Sequence, residues 1–105
     1  MIATTPKPPY FSVIFTSVLT DNTDNYTMTS DRMIALAENS EGFLGFESAR
    51  EELGITVSYW SSLEAIKNWK LNSEHLIAQK EGKEKWYKAY KVRICKVERD
   101  YGFEI

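Results

Sequence analysis

The chain has 105 residues, 43% of them hydrophobic and 27% charged, with 13 basic and 15 acidic side chains and a net charge of −2. This composition describes one folded domain, not two and not a disordered tail. The near balance of charge argues against a nucleic-acid partner or a membrane surface, which want a basic surplus on one face, and no apolar run approaches the roughly 20 residues needed to cross a bilayer.

Residues 1–9 are short, polar and proline-rich, without the apolar stretch of a signal peptide. They read as a flexible arm ahead of a single domain over residues 10–105. Tyr10 to Leu19 is rich in β-branched and aromatic residues and predicts a strand. Phe11, Val13 and Phe15 share one face, and Tyr10, Ile14 and Val18 the other. A strand apolar on both faces is covered on both faces. A polar loop follows, in which Asp21 or Asp24 is a candidate cap. From Tyr26 to Asn39 the pattern is helical, with Met33, Leu36 and Ala37 on one apolar face and a stop at Asn39, Ser40 and Gly42.

Phe43–Arg50 and Ile55–Trp60 flank a Glu-Glu-Leu-Gly link and predict a β-hairpin, Ile55, Val57 and Tyr59 facing one way and Thr56, Ser58 and Trp60 the other. Ser61 and Ser62 can cap the next helix, in which Leu63 and Ile66 share a face with Trp69 nearby. Asn72 and Ser73 break it. A second helical run from Glu74 to Tyr87 places His75, Ala78, Gln79, Gly82 and Trp86 along one stripe. Its basic stretch, Lys80 to Lys91, is interrupted by Glu81 and Glu84 and reads as a solvated face. Tyr90 to Arg99 alternates as a closing strand, and the tail from Asp100 has no core of its own. The single cysteine, Cys95, falls in that apolar strand and is expected to be a small buried side chain. With no second cysteine to pair with, it fits a reducing, cytoplasmic compartment.

The order strand, helix, strand, strand, helix, strand is the split βαβ pattern of ferredoxin-like α+β folds, a four-stranded antiparallel sheet with helices on one face. The other face, apolar along the first strand, then needs a cover. A second copy packing sheet to sheet supplies one, so the expectation is a homodimer.

Three stretches carry a family likeness: Gly42 to Ser48; Ile55 to Ile66 followed by Trp69-Lys70; and Glu74-His75, Ala78-Gln79, Gly82, Trp86-Tyr87 with the strand after them. Together they resemble the antibiotic biosynthesis monooxygenase family, of dimeric α+β barrel architecture. The resemblance implies a cavity between sheet and helices and oxidation of a small aromatic or quinone-type compound by molecular oxygen, with no metal or flavin. The side chains themselves supply candidates for such a cavity. His75 would be the catalytic base, and Trp69, Tyr59 and Trp86 an aromatic box around a planar substrate. Tyr87, Tyr90 and Arg93 would bond substrate oxygens.

Each of these residues also has a plainer reading. His75, the one histidine, could cap a helix beside Asn72 and Ser73. Aromatic residues at helical spacing serve as core, and Arg93 could pair with Glu47 or Glu98. A non-catalytic small-ligand binding or sensing dimer on the same scaffold is the second expectation. A related branch degrades haem. Its two tryptophans match Trp60 and Trp69, but its iron-ligating histidine position falls on Gln79, and its first-strand asparagine has no counterpart in Tyr10 to Leu19. Haem binding would have to run through His75 instead. A lone histidine offers no multi-histidine metal site.

Overall fold

A computed structural model describes residues 1–105, the side chain of Ser73 excepted. Strand β1 (Tyr10–Leu19) is followed by helix α1 (Tyr26–Glu38), the hairpin strands β2 (Phe43–Arg50) and β3 (Gly54–Trp60), helices α2 (Leu63–Leu71) and α3 (Ser73–Glu81), a π-helical turn (Gly82–Trp86) and strand β4 (Tyr87–Val97). The four strands form one antiparallel sheet in the order β2-β3-β1-β4. This is the ferredoxin-like α+β arrangement expected from the element order.

Register decides which residues meet the helices. Phe11, Val13, Phe15 and Ser17 of β1 stand opposite Trp60, Ser58, Thr56 and Gly54 of β3, and beside Lys96, Ile94, Val92 and Tyr90 of β4. Trp60, Ala37, Ala65 and Ile66 form a small buried core on this face, with Phe11, Val13, Phe43 and Trp69 packed around it. Gly42 turns the chain from α1 into β2 at φ 86°, and a Cβ there would lie 2.5 Å from Ala65 Cβ. Only glycine takes that conformation freely and leaves that space empty.

The caps differ in part from expectation. Ser62 Oγ accepts from the Ala65 amide at 3.0 Å, as its position suggests. Asn72 closes α2 and opens α3, its Oδ1 accepting from the Glu74 amide at 3.0 Å. Neither Asp21 nor Asp24 caps α1, however. Asn25 holds that position at φ 64° with no side-chain bond, because the chain enters the helix through a left-handed residue that asparagine tolerates. Leu63, expected on the buried side of α2, is 55% exposed. It is the first residue of the helix, and Ala65 and Ile66 are the buried ones.

The last helix is shorter than its periodicity suggests. It changes to a π turn at Gly82, and β4 starts at Tyr87 and ends at Val97. A Cβ on Gly82 would meet the Tyr87 ring at 2.6 Å, so the turn is compact because glycine stands there. Cys95 is exposed, not buried. Its register partner is Ser12, which places it on the sheet face away from the helices.

That second face is partly covered by the chain itself. Tyr10 is buried, and its hydroxyl donates to Asp100 Oδ2 at 2.5 Å while accepting from Thr5 Oγ1 at 3.1 Å. The Ala3 amide donates to Glu47 Oε2 at 3.0 Å. Arm and tail therefore close one end of the face, and Ile14, Val18, Ile55 and Val57 occupy the rest. No helix among the described residues is long and apolar enough to cross a membrane.

Candidate functional site

Between the sheet and the helices lies a cavity of about 540 Å³ whose wall is mostly apolar. Trp60 and Trp69 stack at one end, ring centroids 6.1 Å apart, and His75 stacks on Trp69 at 4.5 Å. The cap at Asn72 starts a new helix at once, and this sharp break between α2 and α3 brings His75 back over Trp69. His75 Nδ1 lies 3.1 Å from the Trp69 carbonyl oxygen. A carbonyl only accepts, so Nδ1 carries the proton of the neutral ring and Nε2 keeps a lone pair. Burial lowers the His75 pKa below its ordinary value, the bond to Trp69 opposing and the nearby Lys70 charge assisting. The ring is therefore neutral at pH 7.

The middle of the cavity is formed around the π turn, a feature often found at functional sites. Trp86 is 2% exposed, and its indole N–H donates to the Asp24 carbonyl at 2.9 Å. Tyr26 stands edge-on to both Trp86 and Tyr87. Phe15 lies 5.4 Å from each of Tyr87 and Tyr90. Burial, and after it the neighbouring Tyr26 hydroxyl, push the Tyr87 phenol well above its ordinary pKa, so it stays protonated.

Of the residues the sequence nominates, the cavity gathers His75, Trp69, Trp86, Tyr87 and Tyr90, with Gln79 beside them. Tyr59 and Arg93 belong to the opposite face. Tyr59 pairs in register with Ser12, and its hydroxyl donates to Glu47 Oε1 at 2.6 Å. Burial, then the Glu47 carboxylate, push its pKa up to about 12, while the same bond and the Ala3 amide hold Glu47 below its usual range. Tyr59 is thus a structural donor outside the aromatic box. Arg93 is exposed opposite Ile14, and the one ion pair among the described residues is Arg32–Glu74. The expected Arg93 partners Glu47 and Glu98 do not hold it, since exposure removes the need for one.

Among the cavity residues that sequence reasoning missed, Tyr26 and Arg50 bear most on the site. Tyr26 begins α1 and carries no motif. Arg50 ends β2, and its guanidinium turns onto the cavity side over Gly54. The Arg50–Gly54 register pair that permits this was available only as a hairpin alignment.

Among solved structures, the chain superposes on SnoaB, a cofactor-independent oxygenase from Streptomyces nogalater, with TM-score 0.75, 9% identity and coverage of 89% of this chain and 97% of that one. It superposes on Rv0793 of Mycobacterium tuberculosis with TM-score 0.78 and 12% identity over 89% and 99% of the two chains. A Nitrosomonas europaea protein classed as an antibiotic biosynthesis monooxygenase gives 0.71 and 12% over 90% and 94%. The fold is that of the antibiotic biosynthesis monooxygenase type. No family model matches the sequence. The chain belongs to the family of YqjZ, an uncharacterized protein of Bacillus subtilis (strain 168), with 47% identity over 105 residues, 98% of this chain and 92% of that protein.

Proposed function

We propose that this protein is a cofactor-independent monooxygenase acting on a small electron-rich phenol or quinol, with molecular oxygen as co-substrate and His75 as the base. The supporting observation is the neutral imidazole at the cavity wall, with Nδ1 engaged by the Trp69 carbonyl and Nε2 left as an acceptor. Nε2 takes the phenolic proton, and the resulting anion reduces oxygen directly. A phenol with a free ring C–H then becomes the quinone, one oxygen atom entering the ring and the other leaving as water. The stacked Trp60 and Trp69 fix the ring plane, and Tyr87 and Tyr90 donate to the substrate oxygens.

Oxygen uptake on a panel of phenols and quinols tests this reading. His75→Ala should lower turnover by about 100-fold or more, the usual range for a positioned base. Unchanged uptake would remove His75 from the mechanism.

The apolar, tryptophan-lined cavity also favours a second reading, a non-catalytic binding or sensing dimer. Aromatic ligands would then quench tryptophan fluorescence with no oxygen uptake at any pH. Haem binding through His75 is tested by a Soret shift on hemin titration that His75→Ala abolishes. On either reading we place the protein in the cytoplasm, where a lone cysteine stays reduced, as a homodimer joined through the sheet face that carries Ile14 and Val57.

A further inference from the structure

Arg50 is a charge in an unusual setting. Its guanidinium lies 5.9 Å from the centre of the Tyr26 ring. It donates to the buried Ser17 hydroxyl and, at 3.4 Å, to the Ser17 carbonyl. No carboxylate pairs with it among the described residues. Arginine has five N–H donors, so those two bonds leave donors free at the mouth of the cavity. Gly54 makes this placement possible, because a Cβ there would lie 2.1 Å from Arg50 Cζ. Arg50 and Tyr87 both line the cavity, and the Arg50 charge draws the Tyr87 pKa down against the larger effect of burial.

Position along the sheet adds a second constraint. Gly54 and Trp60 are the two ends of β3, separated by about 20 Å at the rise of an extended strand. The stacked Trp60, Trp69 and His75 line one end of the cavity, and Arg50 stands at the other. An apolar wall that ends in an unpartnered guanidinium complements a molecule with an aromatic body and one anionic terminus.

We propose that the cavity binds an aromatic acid, its carboxylate seated on Arg50 at the end away from His75. Arg50 thereby sets both the charge class of the ligand and the direction in which it enters. The inference rests on the cavity being the ligand site, as in the proposed function, but not on oxidation taking place there.

Isothermal titration calorimetry with 2-naphthoate and its neutral isostere 2-naphthamide tests it. The wild-type protein should bind the acid at least about tenfold tighter than the amide, as for a charge-assisted bidentate contact. Arg50→Gln should abolish the difference, chiefly by weakening binding of the acid. Gly54→Ala keeps the charge but displaces the flexible end of Arg50, and should abolish the preference as well. Arg50→Gln also removes the bonds to the buried Ser17, so its thermal midpoint should fall, and the ratio of acid to amide affinity within the variant is the readout. Equal affinity for the two probes in the wild type, or a preference that survives Arg50→Gln, overturns the role of Arg50 and leaves the cavity as a ligand site. Binding of neither probe overturns the cavity reading and this proposal together.

Discussion

Burial both tunes His75 and couples it to folding. Its folded pKa lies below the unfolded value, so the unfolded chain binds a proton more readily as pH falls. The stability contributed by the neutral ring is complete above the unfolded value near 6.5. It is lost as pH drops through the folded pKa. Urea midpoints measured from pH 7.5 downward should fall in this window for the wild type and flatten in His75→Gln. With His75 as the base, kcat/KM should rise with pH over the same acidic range, with a midpoint below the ordinary imidazole value. Trp86 illustrates a different balance. Trp86→Phe removes the donor to the Asp24 carbonyl and leaves a gap beside Tyr26, and should cost about 1–3 kcal/mol in urea denaturation.

Short-range rules account for most element boundaries. β-Branched and aromatic content marks β1, the runs on either side of Glu-Glu-Leu-Gly mark β2 and β3, and Ser62 and Asn72 supply the caps their side chains suit. Gly42 is the sharpest test at this scale. Gly42→Ala forces a methyl against Ala65 and Ser61 at φ 86° and should destabilise by about 2 kcal/mol or more, read as a lowered urea midpoint with an unchanged slope. The end of α3 follows a different logic. A helical stripe through His75, Gln79 and Trp86 is real as far as Glu81. Beyond it, pairing of Tyr87 with Leu19 in the sheet competes with the helix and starts the strand three residues early.

For the whole molecule the decisive feature is the sheet face away from the helices. The N-terminal arm and the tail bond over its Tyr10 end, through Thr5, Ala3 and Asp100. Ile55 remains 42% exposed, beside Val57 and across from Ile14 and Thr16. A charge placed at the centre of this patch should separate a dimer formed through it. Sedimentation at micromolar concentration is expected to give a dimer for the wild type and a monomer for Val57→Glu. A wild-type monomer would contradict the sheet-to-sheet arrangement.

The sequence by itself determined the element order, the faces of β1 and β3, and the stripe that carries His75. These depend on neighbours a few residues apart, where alternation, helical period and capping act. Only the tertiary structure decided the rest. Tyr59 and Arg93 read as plausible ligands until register set them on the far face, and Cys95 read as buried until Ser12 proved to be its partner. Arg50 became a cavity residue because Gly54 lies opposite it and Ser17 beside it, residues four and 33 positions away in the chain. Spacing along a strand fixes which side chains share a face, but the contacts across strands fix which face meets the helices and what each side chain finds there.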